Sequence, residues 1–206
     1  MKKIQLKNKS KAVYTVLIED EIWGILPYKV LRFFSLKPDS FEIDDIQTEK
    51  LKEEIEIYVW DKLLNYISYR ERSTWECRNY LRLLPVPAEM MVRLNNKAHD
   101  LNFVNDERFA EIYVQDLIRK GKSRREISNK LFEKKIPGHL IEQKLQECFT
   151  METKEEIIDQ NVLKALRKYS RFSGKERKEK CFNYLSRRGF AYSEVNEKIN
   201  ELIMKE

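Results

Sequence analysis

The sequence predicts a mainly α protein: three tandem three-helix repeats forming an elongated, curved array, with a small N-terminal β-hairpin extension. Three observations predict it. Capping boxes, serine followed three residues later by glutamate, recur at Ser73/Glu76, Ser123/Glu126 and Ser173/Glu176, each 50 residues from the next. After each box a leucine is followed at five-residue steps by two further apolar residues: Leu81, Val86, Met91; Leu131, Ile136, Ile141; Leu185, Phe190, Val195. Five glycines and five prolines are too few for a turn-rich β protein or a disordered chain.

Residues 1–46 differ from the rest. Ile4 and Leu6 alternate with polar neighbours, 13–18 is β-rich, and Glu19-Asp20-Glu21 reads as a turn before Ile22-Trp23-Gly24-Ile25. Two or three short antiparallel strands are expected, then a brief helix over 27–34, a turn at Pro38-Asp39-Ser40 and a last strand over 41–43. A lone hairpin is marginal in water, so these strands should rest on Trp23, Phe33 and Phe34, or on the first repeat.

The first repeat, 47–104, opens with a helix over 49–69 capped by Thr48, with Leu51, Ile55, Val59, Leu63 and Ile67 along one face. In the second, 105–150, Asn105 caps a helix whose first turn is acidic (Asp106, Glu107) and whose apolar face is Phe109, Ala110, Tyr113, Val114 and Leu117. Gly121 closes that helix. Ser123 opens the next, with Ile127, Leu131 and Phe132 inward, and Pro137-Gly138 ends it. A third helix presents Leu140, Ile141, Leu145 and Phe149. None of these three is long enough to stand alone, so their stripes must bury one another. The third repeat, 151–206, opens on a Thr153/Glu156 box. Its second helix carries four extra residues between cap and leucine, close to one turn, which keeps the face in register.

Composition narrows the function classes. Over 206 residues the net charge is +6, unevenly placed. From Asp39 to Asp61 there are nine acids against two lysines. From Asp116 to Lys135 there are eight bases against three acids, and from Lys164 to Arg188 ten against two. Such asymmetry favours a partner with negative charge along one side. Cys77, Cys148 and Cys181 are widely spaced with no CxxC, which fits reduced thiols packed as small apolar residues and neither a disulfide nor a zinc site. Met1-Lys2-Lys3 leads into alternating polar residues, not a signal-peptide core, and no window approaches the length of a membrane span. A soluble, cytoplasmic, monomeric protein without membrane contact is expected.

No catalytic constellation emerges. There is no Gly-rich phosphate loop, so no ATP site, cofactor or metal is expected. His99 and His139 fall in different repeats and read as surface or capping residues. The run Glu53-Glu54-Glu56 reads as a solvated helix face. An enzyme is not expected. The basic clusters carry more. Arg119, Lys120, Lys122, Arg124 and Arg125 lie at a helix junction, and Lys134 and Lys135 follow the second helix. Arg70 and Arg72 occupy the equivalent junction in the first repeat, while Arg187 and Arg188 end the second helix of the third. If the repeats stack, equivalent positions form a basic track whose binding is salt-sensitive. Tyr58, Tyr66, Tyr113 and Tyr184 sit at core spacing, so base stacking on them is a weaker expectation.

A three-repeat array carrying NDERFAEIYV, then IRKGKSRREISNKLFEKKI, resembles the RecX family, regulators of the bacterial RecA recombinase. LLNYISYRERSTWECRNYL is similar to that family's first repeat, where Tyr69, Arg70, Arg72 and Ser73 match the run opening the second helix. The resemblance covers about 55–203, and the front segment looks like the β extension of some members. One departure is Pro85-Val86-Pro87 where members carry a glycine-containing turn, which bears on the angle of the third helix. The resemblance implies a non-enzymatic protein lying in the groove of the RecA–single-stranded DNA filament. There it would bridge protomers, suppress ATP hydrolysis and strand exchange, and so modulate recombination, DNA repair and the SOS response. Double-stranded DNA stays open as a further partner. Two alternatives stand beside it: a helix-turn-helix DNA-binding protein, and a helical scaffold for another protein. Against the first, the would-be recognition helix 139–147 has one strongly basic residue, Lys144.

Overall fold

The computed structural model describes residues 1–10, 12–36 and 41–204, without the side chains of Phe41, Ile203 and Met204; the expected turn at Pro38-Asp39-Ser40 lies outside them. The chain forms two compact units, Met1–Asn105 and Asp106–Glu206. The described residues hold ten helices and four strands.

In the N-terminal unit, β1 (Lys2–Ser10), β2 (Val13–Ile18), β3 (Glu21–Pro27) and β4 (Phe41–Ile43) form one antiparallel sheet in the order β3-β2-β1-β4. The expected hairpin is therefore half of a four-stranded sheet. Glu19 and Asp20 join β2 to β3 in left-handed conformation, φ 52° and 67°, which matches the twist of the flanking strands. Val16 pairs with Gly24 and Leu17 with Ile22, leaving Trp23 as a bulge residue.

Ile4, Leu6, Val16, Ile18 and Ile25 of the sheet share one core with Leu51, Ile55, Val59 and Leu63 of the long helix. That sheet-to-helix burial is what stabilises strands that would be marginal alone. A one-turn helix α1 (Tyr28–Leu31) and a 3-10 turn (Arg32–Phe34) follow β3, as expected. Phe33 corrects the sequence reading: it is 87% exposed, because the short segment turns Leu31 inward instead. The long helix α2 (Asp45–Ser68) leads to α3 (Thr74–Arg82) and α4 (Ala88–Asp100). Pro87 caps α4 with φ −58° and ψ 146°, close to the −58° and 139° of Pro137 ahead of the equivalent helix in the second repeat. The double-proline departure thus leaves the helix start unchanged. What shifts is the buried face: Met90 lies in the core and Met91 at its margin.

The C-terminal unit comprises α5 (Asp106–Arg119), α6 (Arg124–Glu133), α7 (Gly138–Cys148), α8 (Met151–Lys168), α9 (Gly174–Arg187) and α10 (Tyr192–Met204). It has two cores, one on Phe109, Val114, Ile127 and Leu131, the other on Val162, Cys181, Leu185 and Val195, with Ile118 and Phe149 packed against both. Helix α9 has 14 residues against ten in α6, so the four extra residues add a turn as expected. The extra turn puts Cys181 four residues before Leu185, as Cys77 precedes Leu81 and Ile127 precedes Leu131; all six are fully buried.

Three caps depart from the sequence reading. Helix α2 is capped by Asp44, which accepts from the Gln47 N–H at 2.7 Å, while Thr48 is buried one turn inside and donates to the Asp44 carbonyl at 2.8 Å. Helix α8 starts at Thr150, which accepts from the Thr153 N–H at 3.2 Å. Ser173 makes no side-chain cap bond. Phe132 also differs, being 66% exposed: on a ten-residue helix, adjacent Leu131 takes the inward position. Ser123, by contrast, accepts from the Glu126 N–H at 3.2 Å and donates to the Arg188 carbonyl at 2.7 Å. Ser123→Ala should therefore cost about 1.5–3 kcal/mol, a cap plus a part-buried acceptor left unpaired. Ser173→Ala should stay within about 0.5 kcal/mol. Urea denaturation of the two variants checks the pair.

Candidate functional site

The basic residues differ in whether a carboxylate already holds them. Arg70 in the N-terminal unit is committed: its guanidinium grips the Glu76 carboxylate at 2.8 and 3.0 Å and also donates to the Glu71 carbonyl. Glu76 is 5% exposed, so Arg70 offsets a carboxylate the fold has nearly closed off. Arg72 donates to the Tyr66 carbonyl at 3.2 Å and lies 4.0 Å above the Tyr66 ring. Tyr66 in turn stacks on Tyr80, with centroids 4.3 Å apart and planes 3° from parallel. Burial of Tyr80 raises its phenol above the ordinary range. Both arginines thus tie the α2–α3 corner together.

In the C-terminal unit the basic junction of the second repeat sits beside the third. The Asn161 amide on α8 donates to the Gly121 carbonyl at 3.0 Å, and Ser123 reaches Arg188. The α9–α10 turn meets the start of α6 so closely that a Cβ on Gly189 would stand 3.2 Å from the Arg125 Cβ. Arg124 and Arg125 line a cleft of about 560 Å³ floored by Leu145, Phe149, Ile158 and Phe190, while Arg188 joins this junction through its carbonyl and turns its side chain to Tyr184. Several of these charges are locally offset: Arg119 by Asp116 at 2.8 Å, Lys122 by Glu126, Arg124 by Glu142. Lys120 and Arg125 are exposed, and neither is in an ion pair with a described carboxylate. Lys134 and Lys135 follow α6; Lys135 adopts φ 59° at the turn, its ammonium 5.7 Å from the Phe132 ring.

The third repeat carries a second basic face, outside the positions matched between repeats. Lys168, at the end of α8, lies 4.6 Å above the Tyr184 ring and 5.5 Å from that of Tyr169. Arg188 donates to the Tyr184 hydroxyl at 2.8 Å. Lys180 sits 4.4 Å over Phe172, and Arg171 4.9 Å over the same ring. Arg187 is exposed alongside. The available signal was the count of ten bases against two acids over 164–188. Matching repeats by position singled out only Arg187 and Arg188.

Lys144, the one strong base on the would-be recognition helix α7, is held by Glu147 at 2.9 Å and Glu107 at 3.0 Å. Those hydrogen bonds raise its ammonium pKa well above the usual lysine range. At 6% side-chain exposure it is unavailable to base edges, so the one strong base of that helix does not serve a helix-turn-helix reader. His99 and His139 are both exposed, on separate helices. In the acidic run, Glu56 is bound through both oxygens by Arg93, at 2.6 and 3.2 Å, which lowers its carboxyl pKa. Among the described residues no group of three His, Cys, Asp or Glu could hold a metal ion, and no helix is long and apolar enough to cross a membrane.

Comparison with known proteins agrees with this architecture. The family model for the RecX second three-helix domain matches residues 105–145, and that for the RecX third three-helix domain matches 154–199. Regulatory protein RecX of Bacillus subtilis (strain 168) is 28% identical over 207 residues, covering 97% of this chain and 76% of the relative. A crystal structure of RecX from Lactobacillus salivarius superposes with TM-score 0.62 at 27% identity, covering 72% of this chain and 97% of that one. A second crystal structure, of regulatory protein RecX, shares the fold over 98% of this chain and all of its own, with TM-score 0.67 at 24% identity. Capping grammar, paired three-helix domains and these relatives lead to one conclusion: the chain is similar to RecX proteins over nearly its whole length, with their second and third three-helix domains matched in its C-terminal unit.

Proposed function

We propose that this chain is a non-enzymatic regulator that binds RecA and its filaments on single-stranded DNA, restraining ATP hydrolysis and strand exchange. Similarity to the RecX family, including its second and third three-helix domains, is the observation that carries the reading. Physical chemistry supplies the rationale. Tandem modules offer several modest contacts that act together through effective concentration, and exposed cations supply salt-sensitive attraction to phosphates or acidic protein. In this reading Arg119, Lys120, Lys122, Arg124, Arg125, Lys134, Lys135, Arg187 and Arg188 form the binding face. Arg70 and Arg72 shape the first repeat. The protein acts in the cytoplasm, as a monomer.

Measuring RecA ATPase on single-stranded DNA, and filament length by electron microscopy, tests the reading. Both should fall as the protein is added; no change at several-fold excess would overturn it. A variant combining Arg119→Glu, Lys120→Glu, Arg124→Glu and Arg125→Glu should weaken filament binding at least roughly tenfold. Its melting temperature should move little, since the ion pairs removed are exposed and worth below about 1 kcal/mol each. Unchanged binding would mean these cations serve only as a solubilising surface.

A further inference from the structure

We propose that the cleft between the end of α8 and the face of α9 is a binding site for single-stranded nucleic acid. It would seat a base among the tyrosine rings and its flanking phosphates on lysine and arginine. The inference deepens the filament reading, on which its biological sense rests, by assigning the surface that meets the strand.

Three features carry it. The cleft encloses about 490 Å³ and is lined by Lys168, Tyr169, Lys180, Tyr184, Arg187 and Arg188, with Asn183 completing the wall. That volume lies within the usual range for small-ligand sites and suits one nucleotide. None of the lining residues is acidic. Lys180 touches Glu176 at 3.6 Å, but no described ion pair links Lys168, Arg187 or Arg188 to a carboxylate. This sets the cleft apart from the other clusters, where Glu76, Asp116, Glu126 and Glu142 already take up much of the charge. Uncompensated cations held this close repel one another, and an incoming phosphate relieves that repulsion while releasing its counterions.

The rings are the third feature. Tyr169 and Tyr184 meet edge-on at 6.2 Å, and Phe172 stands 6.3 Å from Tyr169. Cations rest against these rings from several sides: Lys168 and Arg188 at Tyr184, Arg171 and Lys180 at Phe172. An anion alone would use the cations and leave the rings idle. A nucleotide uses both, its base exchanging with an ammonium at a ring while the displaced ammonium meets the phosphate. Duplex DNA keeps its base faces inside the stack, so the cleft favours a single strand.

The test uses the full chain without RecA, so its outcome is independent of the ATPase experiment. Fluorescence anisotropy of a labelled oligothymidylate is measured across a salt series for the wild type and for Lys168→Gln/Arg187→Gln. The same measurement is made on Lys7→Gln/Lys9→Gln, a control of equal net charge on exposed positions of β1. The cleft variant should bind roughly tenfold more weakly, with the slope of log K against log salt shallower by about 1.4, two phosphate contacts at about 0.7 each. The control should match the wild type. Tyr184→Leu, with its fold checked by circular dichroism, should weaken binding at high salt, where stacking outlasts charge. Cleft variants that bind as the wild type does, or a wild type that ignores the oligonucleotide at low salt, would overturn the proposal. So would cleft variants that lose RecA inhibition while binding the strand normally, since the cleft would then contact acidic protein.

Discussion

Gly24→Ala is expected to destabilise the N-terminal unit by about 3–5 kcal/mol, combining backbone strain with an overpacked core. Gly24 has φ 155°, which a residue with a Cβ rarely adopts, and it lies opposite Val16 beside the bulge at Trp23. Its missing side chain is what lets α2 lie against β3: a Cβ would overlap the Ile55 Cγ2, and the Val86 Cγ1 is 3.7 Å beyond. Ile55 is fully buried, so it has nowhere to turn. Ile55→Ala alone should cost about 2–5 kcal/mol through the cavity it leaves. Combined, the two changes should cost less than their sum, because the alanine at 24 enters the space opened at 55. Urea unfolding of the two single variants and the double variant measures that coupling; strict additivity would mean the two residues do not share the contact.

A second large effect is expected in the other unit, at the α9–α10 turn. Gly189 has φ 84°, and a Cβ there would stand 2.7 Å from the Ser123 Oγ and 3.2 Å from the Arg125 Cβ. That hydroxyl both caps α6 and donates to the Arg188 carbonyl, so the added methyl group would displace the atom joining the second repeat to the third. Gly189→Ala should cost about 2–4 kcal/mol, the left-handed backbone contributing about 1–2 and the lost hydrogen bonds the remainder. In a Ser123→Ala background the same change should cost clearly less. It should also lower affinity for RecA filaments, because this turn fixes the Arg188 backbone and packs against Arg125. Chemical denaturation of the cycle, with filament binding measured under conditions where every variant is folded, checks both parts.

What the sequence revealed was local. Ser73 and Ser123 each needed only a serine, a glutamate three residues on and an apolar run, and both serines cap as read, although Glu126 binds Lys122 instead of closing its half of the box. Leu81, Leu131 and Leu185 were visible through period alone and are fully buried. Thr48 failed because Asp44, four residues earlier, is also a good cap; burial beneath neighbouring elements, which no local pattern encodes, settled the choice. Phe33 and Phe132 failed for a related reason: a short helix has few inward positions, and a neighbouring leucine filled the one at issue.

For the candidate site, clustering was legible and charge compensation was not. Arg124 finds Glu142 from 18 residues away, and Lys144 finds Glu107 from 37 residues earlier in the chain. Such pairings depend on which helices the fold sets side by side. Lys168 and Lys180 fall outside the clusters matched between repeats, although they lie within the stretch of ten bases against two acids over 164–188.

Co-sedimentation with preassembled RecA–single-stranded DNA filaments, set beside free RecA and free DNA at the same salt, tests the central claim most directly. The account predicts that the chain pellets with filaments several-fold more than with either component, and that added salt releases it. Protein left in the supernatant at several-fold filament excess, or retained equally by naked DNA, would contradict it.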